Sequence, residues 1–220
     1  MSSKTEWETA EKAVDGAADE LKAMTTHTEL YGWAKDNKLD SRALWPKAKT
    51  VMRQRLGIDY NAIREQVTAE RAAEVAAAAA DAPVIELWSA GDAEVASFAV
   101  CDATGEQSWY GEFRSDDRIY ADDDLSAELS AADKAVFIAG KAREHADLST
   151  IRLLLHTCHP DLDAADLAAT ASRHRVALEI DVDDQSPAIA LCRAPGSHGW
   201  RDIRLDVLLD AVASEQSAAS

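Results

Sequence analysis

The change of pattern at Pro83 constrains this chain more than any other feature. The stretch before it, "AEVAAAAADA" (73–82), contains five consecutive alanines. Alanine favours helix but offers little side chain to bury. After Pro83 the apolar residues come in short runs, "VIELWSA" and "EVASFAVCDA", bounded by turn residues. A chain with this break is expected to form an all-α N-terminal unit and a separate mixed α/β unit.

In the first half, Trp7, Ala10, Val14, Ala17, Ala18, Leu21 and Met24 recur at helical steps, which predicts an amphipathic helix over 5–25. A short helix (29–36) and the turn "DNKLD" follow. A longer helix over 41–56 ends at Gly57, where a C′ glycine belongs. Pro46 fits the longer helix only in its first turn, so a start near Trp45 is the alternative to Ser41. Asp59 is placed to cap the next helix. The expected divisions are a helical unit 1–66, an alanine-rich helical connector 67–82, a mixed α/β domain 83–215 and a frayed tail 216–220.

The second half offers strands at 84–90, 94–103 and 107–114, joined by turns at Gly91-Asp92 and Thr104-Gly105. A helix over 125–145 comes next. "TIRLLLH" (150–156) reads as a strand buried on both faces. The remaining elements are a helix capped by Asp163 (163–174), strands at 176–182 and 187–194, and a helix over 201–215.

Net charge is −17 and uneven. Residues 83–220 hold 26 acidic and 11 basic side chains, whereas Trp33–Leu56 holds seven basic and two acidic. The acidic half should repel phosphate backbones, so the basic segment is the expected anion-binding surface. Its short helix, turn and longer helix have the outline of a helix-turn-helix. Lys47, Lys49, Arg53 and Arg55 are the expected phosphate contacts, with Lys35, Lys38 and Arg42 around the turn. The alternative is a helical bundle with a solvated basic face. Three well-separated cysteines argue for a reducing, cytoplasmic setting. No apolar run reaches bilayer length and no secretory h-region is evident, so membrane association is not expected.

"LLLHTCHPDLDAADL" (153–167) concentrates residues that ligate metals. His156, Cys158, His159, Cys192 and His198 are zinc-ligand types, but no CxxC or HxxxH pair occurs; buried cysteines and strand-end histidines are the preferred reading. A cysteine nucleophile lacks a supporting signature. Both Gly-rich phosphate-loop patterns are absent.

The order β-β-β-α-β-α-β-(β)-α over about 130 residues resembles the ribonuclease H-like fold. Where active, that fold places acidic residues on the first strand, in the first helix, at the end of the fourth strand and in the last helix, where they bind two Mg²⁺ ions. On this chain the resemblance picks out Glu86, Glu128 and Asp206 (beside Asp202). The fourth-strand position reads His156-Thr157-Cys158, with Asp161 and Asp163 further on. The metal candidates it implies are therefore Glu86, Asp163 and Asp206, and the catalytic candidates Glu86, Glu128 and Asp206.

The expected function is nucleic-acid association through the basic helices, with a catalytically degenerate α/β domain serving assembly or regulation. A protein–protein adaptor or oligomer subunit is the alternative, and a Mg²⁺-dependent nuclease the second. No cofactor is expected except Mg²⁺ in that last case.

Overall fold

The computed structural model describes residues 3–115, 117, 119–121 and 123–209. The chain divides into two compact units, Met1–Glu70 and Arg71–Ser220.

The first unit is helical: α1 (Ser3–Gly16), α2 (Ala18–Ala23), α3 (His27–Asp36), α4 (Trp45–Val51), a π-helical turn (Met52–Leu56) and the start of α5 (Tyr60–Ala78). The expected helix 5–25 is thus two helices, broken at Ala17. Helix α3 begins with a reciprocal cap: Thr26 Oγ1 accepts from the Glu29 N–H, and Glu29 returns a bond to the Thr26 N–H. Helix α4 starts at Trp45, so Pro46 sits in the first turn, where its missing N–H costs nothing. Gly57 closes the segment at φ 71°, a left-handed position that favours glycine. Asp59 Oδ1 caps α5 through the Asn61 and Ala62 N–H groups. Leu21, Leu30, Trp33, Leu39, Val51 and Met52 fill the core. The expected connector 67–82 is largely the continuation of α5.

The second unit is mixed α/β with one five-stranded sheet of order β3-β2-β1-β4-β5. Strands β1 (Val84–Asp92), β2 (Ser97–Cys101) and β3 (Ser108–Glu112) form an antiparallel meander. Strands β4 (Ile151–Thr157) and β5 (Val176–Val182) extend it in parallel from β1. Helices α6 (Asp124–His145) and α7 (Ala164–His174) supply the crossovers. Both pack on the face carrying Ile85, Leu87, Leu153, Leu155 and Val176. Alanines 127, 131, 135, 139 and 142 line the buried side of α6 and let it approach the sheet closely.

Four expectations are corrected. The segment 187–194 is not a strand but a helix, α8 (Pro187–Cys192), because Ser186 accepts from the Ala188 N–H and Pro187 occupies N1. Gly91-Asp92 is strand rather than turn; the reversal falls at 93–96, with Ala96 at φ 53°. Strand β4 is not buried on both faces. Its burial alternates, and Arg152, Leu154 and His156 lie on a half-buried second face. The helix expected over 201–215 is a 3₁₀ turn (Trp200–Asp202) followed by helical residues 205–209; its remainder and the tail lie outside the described residues.

Candidate nucleic-acid interface and a buried carboxylate cleft

The seven basic candidates of the first unit fall into two groups. Lys47 and Arg55 turn towards α1 and are neutralised there. Lys47 Nζ lies 2.9 Å from Glu6, and Arg55 pairs with Glu11 at 2.9 Å and with Asp15. The other five form no ion pair among the described residues. Lys35, Lys38, Arg42 and Arg53 are exposed, while Lys49 is half-buried. Lys35 sits over Tyr31 (5.7 Å), and Tyr31 meets Trp45 edge-on (5.5 Å). Trp45 in turn meets Tyr60 (4.9 Å). Lys49 lies over both Trp45 and Tyr60, at 5.8 and 5.6 Å. Arg53 lines the same surface cleft as Lys49 and Tyr60. The result is a continuous stripe of cations interleaved with aromatic rings. The connection between α3 and α4 spans residues 37–44, longer than the three- to four-residue turn of a helix-turn-helix.

In the second unit, a cleft of about 380 Å³ opens at the carboxyl ends of β1 and β4. Here the chain reverses direction across the sheet, the usual ligand position in an open α/β fold. Glu128, 1% exposed, is its central group. Its Oε1 accepts from Ser89 Oγ (2.7 Å) and Thr157 Oγ1 (2.8 Å), and its Oε2 from the Gly91 N–H (2.8 Å) and Cys158 Sγ (3.3 Å). Gly91 is required there, since a Cβ at that position would lie 2.2 Å from the carbonyl oxygen of Ala127. Asp92 at the rim is ion-paired with Arg193 (2.6 Å). Burial pushes the Asp92 carboxyl up, but the Val95 N–H and the Arg193 guanidinium outweigh it and hold it below its ordinary range.

The other acidic candidates do not join Glu128. Glu86 is exposed. Strand side chains alternate, so Glu86 points away from the face shared by Ile85, Leu87 and Ser89. Asp163 caps α7, accepting from the Ala165 N–H. Asp206 is exposed and paired with Arg204 at 3.3 Å, which holds its carboxyl below the ordinary range. The first-strand residue that reaches Glu128 is Ser89, and Thr157 is its counterpart on the fourth strand. Neither carries the charge that a metal ligand set needs.

Mg²⁺ does not fit this arrangement. Both oxygens of Glu128 are occupied by hydrogen-bond donors, and the groups opposite are neutral hydroxyls. No three His, Cys, Asp or Glu side chains are grouped to hold a metal ion among the described residues. Cys158, His159 and Cys192 border the Glu128 cleft, but the zinc-type residues have other partners. His156 stacks on Trp88 (4.3 Å) beside Asp181, His159 Nδ1 accepts from the Asp161 N–H, and Cys192 bonds with Ser97. His198 donates to the Ser108 carbonyl. Burial, reinforced by the neighbouring Glu128, pushes the Cys158 thiol up to about 12, and burial does the same to Cys101. Both therefore stay protonated and are poor nucleophiles at neutral pH.

Comparison with family models, with curated proteins and with solved structures gave no match. No helix among the described residues is long and apolar enough to cross a membrane.

Proposed function

We propose that the protein binds nucleic acid through the stripe of Lys35, Lys49 and Arg53 on its helical unit, helped by the exposed Lys38 and Arg42. On this reading the α/β unit is a non-catalytic relative of the ribonuclease H-like fold, used for assembly or regulation. One observation carries the binding reading: these cations stay unpaired and alternate with Tyr31, Trp45 and Tyr60, whereas Lys47 and Arg55 on the same helical segment are consumed by α1. Unpaired cations are what a phosphate backbone can neutralise with release of its counterions. Support for the second part comes from the strand order and from Glu128 at the first-helix position. The two strand positions facing it, acidic where that fold is active, here carry Ser89 and Thr157.

The test is fluorescence anisotropy with duplex DNA and RNA at about 50 mM salt, where phosphate contacts are strongest. Arg53→Ala should weaken binding and Lys47→Ala should leave it nearly unchanged. Equal losses from both would remove the basis of the proposal. Incubation with hybrid and duplex substrates in Mg²⁺ should leave them intact; cleavage that Glu128→Gln abolishes would restore the nuclease reading.

A second reading, a protein–protein adaptor, is favoured by the second face of β1, β4 and β5. Helix α8 packs on β1 there, and the carboxylates of Glu179 and Asp181 on β5 are exposed. The rest of that face bears the half-buried Leu154 beside the Arg152–Glu179 pair (2.8 Å). Light scattering that shows a monomer, with no partner recovered, would count against it.

A further inference from the structure

From Pro83 onward acidic residues outnumber basic ones, 26 to 11, so a basic side chain there readily finds a carboxylate. Lys134, Lys141, Arg143, Arg152, Arg175, Arg193 and Arg204 each do. Among the described residues of this stretch, only Arg114, Arg173 and Arg201 have none within 4.0 Å. All three line a single groove of about 770 Å³. It lies on the helix-covered side of the sheet and shares no lining residue with the Glu128 cleft.

Aromatic rings form the wall of this groove. Phe137 of α6 meets Trp109 of β3 edge-on (6.0 Å) and Trp200 of the 3₁₀ turn (5.3 Å). His174 of α7 packs edge-on against Phe137 from another side (5.8 Å). The Arg201 guanidinium lies 4.7 Å over the Trp200 ring. Trp109, Phe137 and Trp200 are half-buried, so each keeps ring surface to cover. Asp117, Asp133 and Asp202 also line the groove; Asp117 is paired with Lys134, and Asp202 is engaged by the Gly199 N–H. The volume suits a small organic ligand. A planar ring would stack on the tryptophans, and an anionic group would pair with the exposed guanidiniums, whose fork geometry matches phosphate.

We propose that this groove binds a nucleoside phosphate, either free or as one unit of a single strand, with the ring against Trp200 and the phosphate on Arg173 and Arg201. The site is independent of the N-terminal stripe in unit and side chains, and the AMP probe is its own. The experiment uses the full chain and two probes: AMP by equilibrium dialysis, and a fluorescent oligo-dT of roughly ten nucleotides by anisotropy. Arg173→Ala/Arg201→Ala changes only exposed side chains. It should abolish AMP binding and weaken oligonucleotide binding about tenfold or more, while Arg53→Ala leaves AMP binding unchanged. Trp200→Ala should do the same, and Trp200→Phe should restore much of the affinity; protection of the buried thiols checks that both variants are folded. Measured on Arg53→Ala, AMP binding as tight as the oligonucleotide assigns the groove to a free nucleotide, and tighter oligonucleotide binding that Arg173→Ala/Arg201→Ala removes assigns it to a strand. Failure of the wild type to bind either probe, or unchanged binding by the double variant, overturns the proposal. Duplex binding lost only in Arg53→Ala would leave the N-terminal reading standing without it.

Discussion

Replacing Glu128 by alanine tests whether the cleft is a closed polar network. Four donors converge on this side chain, and Ser89, Thr157 and Glu128 are all at or near zero exposure. The two hydroxyls can rotate in search of other acceptors, but the Gly91 N–H cannot. Each buried donor left unsatisfied costs about 1–3 kcal/mol, and the vacated volume adds to this. One or two orphaned donors plus the cavity give about 3–5 kcal/mol for Glu128→Ala, in line with breaking other buried charged networks. Glu128→Gln should cost only about 1–2 kcal/mol, because its amide oxygen can still face Gly91 while the hydroxyls turn to accept from its NH₂. The assay can be confined to one unit, since Cys101, Cys158 and Cys192 all lie in the α/β half. Thiol labelling during urea unfolding then reports that half alone. With a urea dependence of about 2 kcal/mol per molar, the Glu128→Ala midpoint should fall by about 2 M. A loss below about 0.5 kcal/mol, typical of a surface change, would refute the closed network. So would Glu128→Gln proving costlier than Glu128→Ala.

Gly91→Ala drives a methyl into the α6 backbone at 2.2 Å, and should destabilise the α/β unit by about 3 kcal/mol or more as read by thiol labelling. Glu11→Gln/Asp15→Asn releases Arg55, so duplex affinity should rise and the salt slope should steepen by about one phosphate contact. Burial pushes Asp117 up, but Lys134 and the Arg114 N–H outweigh it and hold the carboxyl below its ordinary value. Its stabilisation is therefore complete above the unfolded pKa of about 3.9 and is lost as pH falls through the lower native value. Urea midpoints measured down this acid limb should be flatter in Asp117→Asn; an unchanged slope would contradict this.

Local signals predicted much of this fold because the physics behind them is local. Thr26, Asp59 and Asp163 cap where a short polar side chain precedes a helical pattern, and Gly57 stops a helix by taking a left-handed conformation. The segment after Ser186 was missed as a helix because "PAIALC" is apolar enough for a strand, although Ser-Pro at its start was a usable cap signal. Side-chain parity could have moved attention from Glu86 to Ser89, since Ile85 and Leu87 bury the other face of β1. No local signal marks Ser89 and Thr157 as partners of Glu128; only the pairing of β1 with β4 brings them together. Helical spacing could have separated Lys47 and Arg55 from Lys49 and Arg53, but not revealed that α1 offers Glu6, Glu11 and Asp15 to the first pair. The Arg173–Arg201 groove joins α7 to the 3₁₀ turn and has no sequence signature.

Salt titration of duplex binding tests the central claim most directly. The five unpaired cations, Lys35, Lys38, Arg42, Lys49 and Arg53, should give a log–log slope of about −4.5 at 0.9 per neutralised phosphate. The quintuple alanine variant should fall to a slope near zero with affinity lost. Wild-type binding with no salt dependence, or no binding at about 50 mM salt, would contradict the account.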